Sequence, residues 1–186
     1  RVIASSDYKF WKIISGRKYL NQNLVNFVRS GYDHLHVTPN EEIMKIFNKQ
    51  GFIKNGFPYF GWLVAIYSAV MKISLNFKIP LIFYGENGEV EYGGNLPKSK
   101  STKVSVKEIE DIFLQNGYKE VYKNIKKKNK NLYWFTLPKL SNKKFYITHW
   151  SYFEPWDSYR NYIVAKENCN LTEEKESNQG TFTNFA

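Results

Sequence analysis

Residues 78–94 read KIPLIFYGENGEVEYGG, and the fold reading turns on them. Ile79 to Tyr84 is a short apolar run without polar alternation. That is the pattern of a strand covered on both faces, as in parallel sheets. Ahead of it, Phe57 to Phe77 is the most apolar part of the chain. Lys72 and Lys78 hold its uninterrupted run to roughly 15 residues, short of the ~20 that a bilayer crossing needs. A buried helix is therefore expected there, and no membrane span. Gly61, Ala65, Ser68 and Ala69 give that helix small surfaces for close packing. Helix followed by buried strand is the rhythm of an α/β fold with a parallel sheet and flanking helices.

The strand opens into a polar, glycine-rich stretch from Gly85 to Lys103. Long loops inside compact domains are commonly functional, and open α/β sheets bind ligands beyond the carboxyl ends of their strands. Gly85 and the Gly93-Gly94 pair let backbone approach a ligand closely. Glu86, Glu89 and Glu91 offer carboxylates for a magnesium ion or for acid–base work. Asn87 can donate and accept hydrogen bonds together. A plain surface turn at Asn87-Gly88 is the competing reading.

Upstream, Arg17 to Ser30 carries Leu20, Leu24, Phe27 and Val28 at helical spacing, with Gly31 as the stop. Tyr32 to Val37 is expected to be a strand, with His34 and His36 on one side. Two His without a third ligand make a poor metal site. Asn40 is expected to cap a helix with Glu41 and Glu42 in its first turn. Its inner face would hold Ile43, Met44, Ile46 and Phe47, up to Gly51.

Downstream, Ser105-Val-Lys-Glu108 spells a capping box, opening a helix through Leu114 that ends at Gly117. The stretch from Lys119 to Lys130 carries the basic run KNIKKKNK and reads as a solvated helix end or loop. Asn131 to Leu137 is expected to be a short strand. Phe145 to Phe153 is aromatic and contains His149, a packed residue on the simplest reading, although its titration range suits proton transfer. Asp157 is expected to cap a helix from Ser158 to Asn168. Trp150 and Trp156 could stack on a base or sugar, with core packing as the default.

The whole chain has 186 residues and suits one α/β domain, with residues 145–186 as the start of a C-terminal helical extension. Its composition is 42% hydrophobic and 18% aromatic, which excludes a disordered chain. The net charge of +10 favours anionic partners, although charge speaks more to solubility than to function. Cys169 is the one cysteine, so no disulfide framework forms within the chain. It is expected to be a small buried hydrophobe, and the cysteine usage fits a cytoplasmic protein. The sequon at Asn170-Leu-Thr172 carries no weight without a secretory signal. No Ser/His/Asp set, Walker loop or dinucleotide fingerprint occurs.

The loop nonetheless resembles a known signature. IPLIFYGENGEVEYGG is similar to the central motif of the N-acetyl sugar amidotransferases of surface-polysaccharide and flagellar sugar biosynthesis, including the lipopolysaccharide O-antigen and pseudaminic acid routes. Gly31-Tyr-Asp33 followed by Val37-Thr-Pro-Asn40 agrees with it. So do Tyr152-Phe-Glu-Pro-Trp-Asp157 with Asn161-Tyr, Ala165-Lys-Glu167 and Cys169-Asn-Leu171, and then Gly180-Thr-Phe-Thr-Asn184. The resemblance implies a nucleotide-binding α/β fold of the PP-loop, adenine nucleotide alpha hydrolase-like group. It implies an ATP-dependent reaction, with magnesium, on a nucleotide-activated acetamido sugar. The acetamido oxygen is activated by ATP, and ammonia then displaces AMP to leave an acetamidino group.

The ammonia would come from a glutaminase partner of the HisH/HisF type, and no nucleic acid is expected. The resemblance nominates Glu86, Asn87 and Glu91 as catalytic, and Gly85, Tyr92, Gly93, Gly94 and Trp156 for substrate or nucleotide. The family's phosphate-binding SGGKDS loop and its Cys pairs lie upstream of the matching part. The chain is thus expected to be an incomplete piece, inactive alone. A basic RNA- or anion-binding module and a PP-loop tRNA-modifying enzyme are the alternatives.

Overall fold

The computed structural model describes residues 2–6, 24–26, 28–85, 102–114, 117–126, 132–139, 146–155 and 157–173. The chain is mixed α/β and divides into two compact units, residues 1–38 with 157–186, and residues 39–156.

In the first unit, β1 (Val2–Ser6) pairs in parallel with β2 (Asp33–Val37), Val2 opposite Asp33 and Ser6 opposite Val37. Residues 24–26 and 28–29 between them are helical, as the spacing predicts. Gly31 ends this segment at φ +92°, a conformation that favours glycine. β1 was not anticipated: VIASS is a short run without the alternation or turn signals that mark a strand. The last helix of this unit spans Ser158–Cys169. Asp157 caps it as expected, accepting from the Arg160 N–H at 2.9 Å. Beyond its C-terminus, Lys166 and the Tyr162 hydroxyl converge on Glu173. Cys169 is half-buried rather than part of a core, because it sits on the last turn of this helix.

The second unit is built on two helices. α1 (Glu41–Asn55) starts where the sequence places it: the Asn40 side chain accepts from the Ile43 N–H at 3.0 Å, with Glu41 and Glu42 in the first turn. The helix passes through Gly51 and stops at Gly56, which takes φ +69°. Gly51 is thus interior, and the reason is packing. A Cβ there would lie 2.2 Å from Phe60 Cβ, so only glycine lets the next helix come this close. Ile43, Met44 and Phe47 are buried, whereas Ile46 faces outward.

α2 (Phe60–Phe77) is long and apolar enough to cross a membrane by length and composition, yet 67% of it is buried inside the protein. It is the core helix of this unit. Gly61 meets α1 closely: a Cβ would stand 2.7 Å from Phe47 Cβ and 2.8 Å from the Met44 carbonyl oxygen. No residue caps α2 from its own N-cap, and Asn48 of α1 fills that role by accepting from the Gly61 N–H at 2.8 Å. Two polar residues within this apolar helix face the turn at 132–137, while Ser74 Oγ donates to the Ile79 carbonyl at 2.6 Å. Ser68 Oγ donates to the Thr136 carbonyl at 2.8 Å. Lys72 Nζ donates to the Tyr133 carbonyl and stands 3.9 Å from the centre of the Tyr133 ring.

That turn is a 3-10 helix over Tyr133–Phe135, not the strand the sequence suggests. Its backbone is committed to α2 side chains, and Thr136 Oγ1 bonds back to the Leu132 carbonyl, so no ladder forms. Phe135 is fully buried and stacks on Phe47 at 5.2 Å. The Tyr118 hydroxyl, buried in α4 (Tyr118–Lys126), accepts from the Leu137 N–H at 2.9 Å and donates to the Phe135 carbonyl at 3.2 Å. Of the basic run, residues 123–126 close this helix.

α2 ends at Lys78 in the left-handed region, φ 57°. β3 (Leu81–Tyr84) follows and pairs in parallel with β4 (Tyr146–His149), Leu81 opposite Tyr146 and Tyr84 opposite His149. Val104 adds an antiparallel bridge to Ile147. The parallel arrangement agrees with the sequence, but coverage on both faces does not. Ile82 and Tyr84 are buried against the core, while Leu81 and Phe83 are half-exposed. The helical layer reaches one face of this pair of strands, so one set of alternating side chains is left outward.

Between the strands, the capping box forms as read: Ser105 Oγ accepts from the Glu108 N–H at 3.1 Å and Glu108 accepts from the Ser105 N–H at 2.6 Å. The short helix α3 (Val106–Glu108) passes at once into a π-helix, Ile109–Phe113. This wider turn carries both buried Ile109 and buried Phe113 inward.

Candidate functional site at the carboxyl ends of β3 and β4

β3 and β4 run in one direction and finish side by side, so Tyr84 and His149 are neighbours at their carboxyl ends. Gly85 follows Tyr84 directly and is exposed, with open space where a Cβ would be. Of the residues nominated by the sequence, Gly85 alone belongs to the described part of the chain. Glu86, Asn87, Glu91, Tyr92, Gly93, Gly94 and Trp156 lie outside the described residues, as does Glu89.

The chemistry that the structure does bring to this edge centres on His149, which the sequence ranks low. Its side chain is buried, with 1% of its surface exposed. The ring stacks on Tyr84 at 5.3 Å and meets Phe113 and Tyr152 edge-on at 5.8 and 5.6 Å. Tyr67 of α2 closes the cluster, stacked on Phe113 at 5.8 Å and edge-on to Tyr84 at 5.5 Å. Four elements thus supply the surroundings: α2, the π-helix, β3 and the turn after β4.

Neither ring nitrogen of His149 has a hydrogen-bond partner among the described residues. Leaving a buried polar group unsatisfied costs about 1–3 kcal/mol. Burial among rings disfavours the imidazolium and pulls the imidazole from 6.5 down to about 4, so the ring is neutral at pH 7. A neutral imidazole offers one donor and one acceptor. Taking up a proton would put a positive charge among the surrounding rings, which their burial disfavours. The signal in the sequence was indirect: a His flanked by aromatics at the end of a strand, which could be weighed only after its partner strand was known.

Lys72 is a second buried basic group among the described residues. Burial draws its amine down to about 8. Its contacts with Tyr133 tie it to the packing of α2 rather than to the strand ends. In the first unit, the rings of His34 and His36 lie 6.2 Å apart on β2, and His36 Nε2 is 2.9 Å from Thr38 Oγ1. Among the described residues no three His, Cys, Asp or Glu side chains gather as a metal-binding group, and the carboxylates nominated for magnesium are outside them.

No family model matches the chain, and no curated protein matches it.

Proposed function

We propose that the chain is part of an ATP-dependent amidotransferase that converts the acetamido group of a nucleotide-activated sugar into an acetamidino group. The reading is supported first by the 78–94 signature and by the agreeing stretches in the same order along the chain. The structural observation behind it is the parallel pairing of β3 with β4, which end side by side next to Gly85. Ligands of open parallel sheets bind at such an edge.

On this reading, ATP with magnesium supplies activation of the acetamido oxygen, and ammonia from a glutaminase subunit displaces AMP. Glu86, Asn87 and Glu91 remain the proposed catalytic set. The described residues contribute the frame. Tyr84 and His149 wall the inner side of the edge, and the apolar cluster around them keeps water away.

The test uses the complete gene product with ATP, magnesium, a nucleotide-linked N-acetylhexosamine and ammonium or the glutaminase subunit. AMP and pyrophosphate should appear only when sugar and nitrogen source are both present. Absence of AMP across the common nucleotide carriers refutes the reading.

A further inference from the structure

The outward face of the β3–β4 pair carries an aromatic surface that neither the fold nor the proposed catalytic loop accounts for. Phe83 is 47% exposed, Trp150 38% and Phe153 55%. They are preorganised: the Phe83 and Phe153 rings stack at 6.1 Å with an 18° angle, and Trp150 tilts against Phe83 at 5.9 Å. The trio stands at the carboxyl end of the strands. Phe83 is the penultimate residue of β3, and Trp150 follows His149 directly. It therefore lies at the ligand-binding edge of a parallel pair and beside Gly85.

Toward the other end of the same face, Tyr146 pairs with Leu81, two residues before Phe83, a separation of about 7 Å. Lys103 Nζ stands 4.2 Å from the centre of the Tyr146 ring. One face thus offers an exposed aromatic cluster and, a short way along, a cation. We infer that Phe83, Trp150 and Phe153 form a stacking platform for the apolar face of a phosphate-linked sugar ring, with Lys103 at the phosphate end.

The occupant follows from the chemistry. Exposed stacked rings accept a ring with an apolar face, and Lys103 together with the net charge of +10 favours an anion. A single-stranded nucleic acid would need a cationic groove tracking several phosphates. Among the described residues, the sequence next to this platform supplies Glu154 rather than such a row. The sugar assignment rests on the amidotransferase reading; the platform and its charge do not.

Uridine diphosphate N-acetylglucosamine is the probe, titrated into the full chain and into Trp150→Ala and Phe153→Ala, with folding checked by circular dichroism. Uridine diphosphate alone and a uridine oligonucleotide are the comparison ligands. The expected result is saturation transfer from protein to the sugar-ring protons, and a Kd for the nucleotide sugar raised about five- to tenfold in each variant. The Kd for uridine diphosphate should move less than twofold. Lys103→Ala should weaken both ligands.

Unchanged sugar affinity in both aromatic variants, or no binding of the probe by the wild type, overturns the inference. Trp150-dependent binding of the oligonucleotide that exceeds the nucleotide sugar also overturns it, in favour of a nucleic-acid surface. The two readings separate cleanly. AMP formation with an unaltered sugar Kd in the variants removes the platform and keeps the reaction. Platform-dependent binding without AMP keeps the platform and removes the reaction.

Discussion

Lowering the pH should destabilise this protein through His149, and the size of the effect follows from its surroundings. The folded imidazole titrates at about 4 against 6.5 when free of its aromatic neighbours. Above pH 6.5 the ring is neutral in both folded and unfolded chains, and stability does not depend on it. As the pH falls below 6.5 the unfolded chain takes up a proton that the folded ring refuses, and stability declines. The loss approaches about 1.4 kcal/mol per pH unit and stops near pH 4, where the folded ring is also protonated. Over the interval 6.5 − 4, about 3 kcal/mol is lost, a large share of the 5–15 kcal/mol typical of a domain.

His149→Phe keeps a ring in the cluster and removes the titration. Urea unfolding followed by near-ultraviolet circular dichroism, at half-unit steps from pH 4 to pH 7.5, isolates the effect, because other acid-sensitive groups are common to both proteins. The stability of His149→Phe relative to wild type should rise by about 3 kcal/mol between pH 7 and pH 4. It should already be slightly positive at neutral pH, since the substitution deletes two unsatisfied nitrogens. Parallel curves for the two proteins, or a nuclear magnetic resonance titration placing His149 near 6.5, would refute the argument.

Two further outcomes test the helical core. Gly61→Ala should cost about 1–3 kcal/mol in thermal unfolding, because the new methyl meets the Met44 carbonyl oxygen and Phe47 Cβ inside 3 Å and backbone must shift; an unchanged Tm would mean the helices separate freely. Lys72→Ala should cost about 2 kcal/mol, since it strands the Tyr133 carbonyl and withdraws a buried stem, and hydrogen exchange should rise first at residues 132–137 if the reasoning is right.

The sequence was most legible where a local rule decides the outcome. Asn40, Ser105 and Asp157 cap the helices they were expected to cap, because a cap is a matter of three or four neighbouring residues. The apolar run of α2 was readable for the same reason. What failed depended on distant partners. Asn131 to Leu137 has strand composition, but its backbone is claimed by Ser68 and Lys72, more than 60 residues away in sequence. Gly51 reads as a stop, and only the approach of Phe60 explains a glycine inside the helix.

The continuous apolar run of β3 suggested two covered faces, whereas the structure leaves Leu81 and Phe83 outward. At the candidate site the balance is similar. The glycine after the strand was legible from position. The burial of His149 was not, because its isolation arises from Tyr67, Phe113 and Tyr84, which belong to three different elements.

The contact between α1 and α2 has a mechanical corollary. Phe47 lies between Gly61 on one side and Phe135 on the other, and Phe135 sits in the turn that Lys72 and Ser68 hold against α2. The three pieces form a closed ring of contacts. Thickening any joint is transmitted around the loop and returns to the helix where it began. Variation at residues 47, 61 and 135 should therefore be tolerated only in compensating combinations, a larger side chain at one matched by a smaller one at another, so that a library randomising all three together would recover partners that single-site scans discard.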